Sequence, residues 1–264
     1  MKKKTEKAYF DEQWVQMVTH FKAFTKTGDQ EELHLFRVQV KKLRAILELL
    51  DSASSRHKLS KDLKPVRQIF KHCGNIRNAY INLQLGARYQ LKNEEFIMGQ
   101  LHVIESGTDE FKEQGKKYLK IIKASYDAIG DDLKAIADDD IIEFYQTNLE
   151  QVAQAFTDLQ FNDELHRARK QVKTLLYNRK IAAKALDGKL QLDNAYLDKL
   201  QDHIGNWHDN ILALELFSTA GLNDKQVVTK IKRQNTRLKR SITVLAYDFL
   251  KKVIEVQAPK EDKQ

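Results

Sequence analysis

Apolar residues recur along this chain at spacings of three and four, from about residue 8 to residue 255. That period belongs to helices with one face turned to a core. Alternation of period two, which would mark half-buried strands, is almost absent. The pattern predicts eight helices, over about 8–26, 29–52, 60–91, 94–129, 139–158, 162–187, 192–218 and 223–255. Local punctuation supports these boundaries. Asp29, followed by Glu31 and Glu32, loads a first turn with acid. Asn162 or Asp163 can cap the sixth helix, and Asn223 or Asp224 the eighth. Gly28, Gly130 and Gly221 stand where helices should end. Pro65 lies near the start of the third helix, where a missing N–H costs least. The residues from Ala258 to Gln264 are polar and read as a disordered tail.

One polar arrangement inside this pattern occurs twice. His34, Arg37 and Lys41, with Arg44 beyond, are answered by His166, Arg169 and Lys173, with Tyr177 beyond. Each set falls on one face of a helix. Gly74-Asn75-Ile76-Arg77-Asn78 is answered by Gly205-Asn206-Trp207-His208-Asp209. The histidines lie 132 residues apart and the glycines 131. Two matches at nearly one offset imply an internal duplication, with half-repeats of about 1–130 and 131–257. Gly130-Asp131-Asp132 and Asp138-Asp139-Asp140 flank the midpoint, with no Ser- or Pro-rich linker. The expectation is an all-α fold of two pseudo-symmetric four-helix bundles packed around a basic groove or channel. Gly74 and Gly205 fall inside predicted helices, where each costs about 1 kcal/mol relative to Ala. Their recurrence implies a close approach or a kink.

A helical wheel sharpens the first stripe. His34, Arg37, Lys41, Arg44 and Glu48 share an arc of roughly 80°. Leu33, Phe36, Val40, Leu43 and Leu47 fill one side, and Leu35, Val38, Ile46 and Leu49 lie beyond the other. An ordinary solvated face lies opposite a single apolar stripe. Cations bordered on both sides by apolar residues point into a cleft, where they are costly to desolvate without an anion.

Charge extends that picture. The net charge is +8, but it is unevenly spread. Residues 1–93 carry 19 Lys and Arg against nine Asp and Glu, residues 94–164 carry six against 17, and residues 165–264 carry 20 against 11. Residues 33–47, 63–93, 165–186 and 225–247 contain no acid at all. Surface helices usually interleave acids with bases. These four segments therefore imply an extended anionic partner. They bring Arg67 and Lys71, and Arg233, Arg237 and Arg240, into the candidate set. Phosphate suits such an array, because Arg offers forked contacts and Lys a mobile point charge. The charges around His34 and His166 disfavour their protonation, whereas a bound polyanion would favour it, so binding should strengthen as pH falls.

At this point the residues resemble a known family. The run His34-Leu35-Phe36-Arg37-Val38-Gln39-Val40-Lys41-Lys42-Leu43-Arg44 is similar to the signature of the CHAD family, the conserved-histidine α-helical domain. His166-Arg167-Ala168-Arg169-Lys170-Gln171-Val172-Lys173, continuing toward Tyr177, resembles its second-half signature. The stretch from Leu200 to Asp209 resembles its later helix. The resemblance spans nearly the whole chain. It implies a single domain over about 1–257, non-catalytic binding of inorganic polyphosphate, and association with polyphosphate bodies. On this sequence it implies ligand roles for His34, Arg37, Lys41, Lys42 and Arg44, and for His166, Arg169, Lys170 and Lys173. There are departures. Leu176 stands where the family usually has Arg, Asn78 stands where an Asp is common, and Lys41 and Lys42 replace commoner arginines.

Other function classes find less in the sequence. There is no P-loop, HExxH, cysteine pair or nucleophile elbow. His203 and His208 are five apart, and His20, His57, His72 and His102 are scattered, so neither a metal nor a cofactor is expected. Phosphoryl transfer through His34 or His166 is the enzymatic alternative. The stronger rival is RNA or DNA binding along the phosphate backbone. Against it, Tyr80, Tyr89, Tyr177 and Phe36 fall at spacings of core residues rather than stacking platforms. A helical scaffold for an acidic protein is a third alternative. The lone Cys73 excludes an intramolecular disulfide, and no run is long and apolar enough to span a bilayer. The expectation is a cytoplasmic protein with no membrane partner.

Overall fold

The computed structural model describes residues 3–54, 58–187, 189–218, 222 and 224–254. Among them there are α-helices and no strand; an isolated bridge pairs Leu192 with Ile254. The chain divides into two compact units, one built on Met1–Ala137 and the other on Asp138–Ser218 with the helices after residue 224.

The first unit contains α1 (Lys3–Thr27), α2 (Gln30–Ser52), a 3₁₀ turn (Leu59–Lys61), α3 (Lys64–His72), α4 (Gly74–Arg88), α5 (Glu94–Glu113) and α6 (Gly115–Asp132). Helix α2 packs on α1, α3 and α4; α5 packs on α4, and α6 on α3 and α1. Phe10, Met17, Phe21, Phe24, Phe36 and Phe111 are fully buried in its core. The apolar arc of α2 predicted on one side of the basic stripe is buried throughout, from Leu33 to Leu47. On the other side Ile46 and Leu49 are buried, while Leu35 and Val38 are partly exposed.

The second unit contains α7 (Asp138–Thr157), α8 (Asp163–Leu186), α9 (Asn194–Phe217), α10 (Lys225–Ala246) and α11 (Phe249–Val253). Helix α8 packs on α7 and α9, α10 packs on α9, and α11 on α7 and α9. Buried Tyr145 donates from α7 to the Leu175 carbonyl of α8 at 2.8 Å.

Local chemistry sets most boundaries where the sequence predicts them. Gly28 takes a left-handed φ of +75° after α1. Asp29 accepts from the Glu31 N–H, Asn162 from Glu164, and Asp224 from Gln226 and Val227. Gly221, Asn223 and the tail 258–264 lie outside the described residues. Gly130 does not end a helix; it sits within α6, which runs to Asp132.

Three predicted helices are broken. The helix expected over 60–91 becomes the 3₁₀ turn, α3 and α4. A continuous helix would give the Phe70 carbonyl to the Gly74 N–H; here that carbonyl accepts from Arg37 and from the Cys73 thiol. The helix expected over 223–255 breaks at Asp248, whose φ is +51°. The Val244 and Leu245 carbonyls, owed to the next turn, accept instead from Lys252 Nζ at 2.7 Å and the Tyr196 hydroxyl at 2.6 Å. The helix expected over 94–129 breaks at Gln114. Gly115 follows, close enough to α1 that a Cβ there would meet the Thr25 methyl at 3.5 Å.

Candidate functional site

In the first unit, α2 presents His34, Arg37 and Lys41 along one face. Arg37 is partly buried against α3. Its Nη1 donates to the Phe70 carbonyl at 2.6 Å, and its guanidinium lies 3.9 Å from the centroid of the Phe70 ring. Arg77, from the first turns of α4, completes the group. Burial, then the charges of Arg77, Lys41 and Arg37, push the His34 pKa below its usual value, with Glu31 opposing. Burial, then Arg37, likewise lowers the Arg77 pKa, with Glu31 and Tyr80 opposing. Arg77 stacks over Tyr80 at 5.3 Å, and its buried Nη1 has no hydrogen-bond partner among the described residues. Three permanent cations and one histidine thus share a single electrostatic environment.

The second unit repeats the construction with changed parts. Arg169 Nε donates to the Gln201 carbonyl of α9 at 2.9 Å. The guanidinium lies over Gly205, where a Cβ would stand 2.6 Å from Nη2. The glycine thus admits the arginine to the helix surface, which is the close approach implied by the sequence. At Gly74 the corresponding distance to Arg37 is a comfortable 3.9 Å. His166 stacks on His208 with ring centroids 4.3 Å apart. Burial, then Lys170, His208 and Arg169, drive the His166 pKa down to about 4, against an opposing pull from Asp163. Its buried Nδ1 has no hydrogen-bond partner among the described residues. Lys173 lies 5.5 Å over the Tyr177 ring, and its pKa is lowered by burial and by Arg169.

The structure thus groups His34, Arg37 and Lys41 in one unit and His166, Arg169, Lys170 and Lys173 in the other. Lys42 lies a quarter-turn off the stripe. Arg44 is exposed and paired with Glu48 at 2.6 Å on its own helix. Arg67 and Lys71 lie on α3, flanking the arginine-accepting Phe70. Arg233, Arg237 and Arg240 are exposed on α10, on the face opposite buried Ile231, Asn235 and Ile242. There Arg233 and Arg237 line a concavity of their own with Lys225 and Lys230.

Arg77 and His208 were missed by the stripe argument. They occupy the same place in the two Gly-Asn motifs, so the signal was the second half of the repeat itself. Phe36 and Tyr89 are buried, as core residues should be, whereas Tyr80 and Tyr177 are partly exposed beneath cations of the clusters. Asp209, the last residue of the second Gly-Asn motif, is exposed and makes no ion pair among the described residues. His20 pairs with Glu32, and His72 lies between the Tyr118 hydroxyl and Glu110. Among the described residues no group of three or more His, Cys, Asp and Glu could hold a metal ion, and no helix is long and apolar enough to cross a membrane.

A sequence model of the CHAD domain matches residues 8–218. No curated protein matches the chain. Among solved structures, the CHAD domain from the plant Ricinus communis is similar in fold, with a TM-score of 0.66 over 96% of this chain and 94% of that one, at 14% identity.

Proposed function

The chain belongs to the CHAD domain family, and from that premise we propose that it binds inorganic polyphosphate without turning it over. One observation carries the reading. In each unit an arginine is fixed by a backbone carbonyl of the next helix, beside a half-buried histidine and a residue from the Gly-Asn motif. Arginine has five N–H donors in a planar fork. Fixing one or two of them on the protein orients the rest and lowers the entropy lost on binding. A linear chain of phosphates supplies the acceptors and the compensating charge along a continuous path.

The same reading makes the two halves products of a duplication and has one polymer engage both cation sets, in the groove expected of the family. It places the protein in the cytoplasm, associated with polyphosphate granules in cells that form them. Arg37, Arg169, Lys41, Lys173, His34 and His166 are the principal contacts in this reading, and Arg77 and His208, which stand beside the histidines, join them. Lys42, Arg44, Arg67, Lys71, Lys170 and the α10 arginines contribute field more than direct contact.

The test is a titration of the full chain with polyphosphates of defined length. The double variant Arg37→Glu/Arg169→Glu should lose binding while its helicity, read by circular dichroism, is unchanged. Polyphosphate should displace RNA or DNA at far lower phosphate-unit concentration, and no orthophosphate should be released. Unchanged affinity in the double variant, preference for nucleic acid, or turnover would each overturn the reading.

A further inference from the structure

The two arginine–carbonyl bonds set a register between the halves: Arg37 answers Arg169, Phe70 answers Gln201 and Gly74 answers Gly205. In that register Lys71 answers Asp202, and Arg67 answers Asp198. The residue that follows the arginine-accepting carbonyl is therefore a cation in the first unit and an anion in the second. Both aspartates act on the second cluster. Asp198 lies 3.5 Å from Arg179 Nη1, Asp202 accepts from the Gln201 amide at 2.7 Å, and the charges of both reach Lys173. A further exchange runs the same way. Permanently charged Arg77 of the first unit answers His208 of the second.

Resting on the polyphosphate reading, we propose that the two cation sets are unequal: the first unit carries the primary phosphate site, and Asp198 and Asp202 hold the second at lower affinity. A phosphate approaching Lys173 meets the charges of two carboxylates, whereas in the first unit a single carboxylate, Glu31, acts on His34 and Arg77 and Lys71 and Arg67 add positive charge from α3. Like-charge repulsion opposes the former and attraction aids the latter. Cations already serving internal carboxylates also offer less to a ligand. The aspartates thus set how readily the polymer engages the second half once the first holds it.

Reciprocal exchanges in the full chain test this with inorganic polyphosphate as probe. Lys71 and Asp202 are both exposed, so neither exchange should alter helicity. Asp202→Asn should tighten binding about three- to tenfold at low salt, with the gain shrinking as salt screens it. Asp202→Lys should tighten it further, and Lys71→Asp should weaken it. Arg37→Glu alone should cost more affinity than Arg169→Glu alone. Aspartate variants that bind no tighter than wild type, or an Arg169→Glu loss equal to that of Arg37→Glu, would overturn the inequality while leaving the polyphosphate reading intact. A wild-type chain that ignores polyphosphate would overturn both.

Discussion

At the scale of single residues, Arg37 and Arg169 are held by backbone carbonyls, and protonation of His34 and His166 is disfavoured. Gly205 exists for Arg169: a Cβ there would lie 2.6 Å from Nη2 and 3.0 Å from Nε, the atom bonded to Gln201. Ala would gain up to about 1 kcal/mol of helix propensity, and the flexible guanidinium can swing aside. Gly205→Ala should therefore leave the melting temperature unchanged or raised, yet weaken polyphosphate binding. Gly74→Ala, with 3.9 Å of room, should leave binding alone. Calorimetry paired with titration separates the two. His166 gives a pH dependence with a definite sign. Its pKa is about 4 in the folded chain and 6.5 ordinarily. Between those values the unfolded chain takes the proton first, so stability falls as pH drops through the window and the effect levels off below it. Urea melts from pH 7 to pH 4 should show that His166→Gln loses less stability than wild type over this range. Bound polyphosphate favours the protonated ring, so affinity should rise across the same window.

At the scale of elements, caps were legible and breaks were not. Asp29, Asn162 and Asp224 act on N–H groups two or three residues away, so their effect is written locally. At the breaks at Cys73 and Asp248, freed carbonyls are taken up by donors remote in sequence: Arg37 reaches over to Phe70, and Tyr196 to Leu245. Such a donor does not suffice alone, since α9 stays continuous although Gln201 accepts from Arg169. Asp51 shows the same remoteness in a capping role. Buried at the end of α2, its carboxylate accepts from the Leu59 N–H at 2.6 Å and the Ser60 N–H at 3.1 Å. Asp51→Ala strands both donors and should cost about 1–3 kcal/mol by denaturant unfolding, with little effect on intrinsic polyphosphate affinity.

At the scale of the whole molecule, the proposed binding is electrostatic. Every phosphate contact made by Lys or Arg should appear in the salt dependence, so affinity for polyphosphate should fall steeply and log-linearly with salt. An affinity flat in salt would count against an electrostatic site. The all-α class, the recurrence of the stripe and the cationic character of residues 33–47, of α8 and of α10 were settled by the sequence. They depend on period, offset and composition, which are properties of neighbours along the chain. Tertiary structure decided which cations cooperate. It brought Arg77 to His34 and His208 to His166, and set Arg233, Arg237 and Arg240 on the exposed side of α10. A helical wheel ranks residues by angle on one helix, whereas an electrostatic site depends on distances between helices. Those distances are set by how residues such as Phe70 and Gly205 let one helix meet the next.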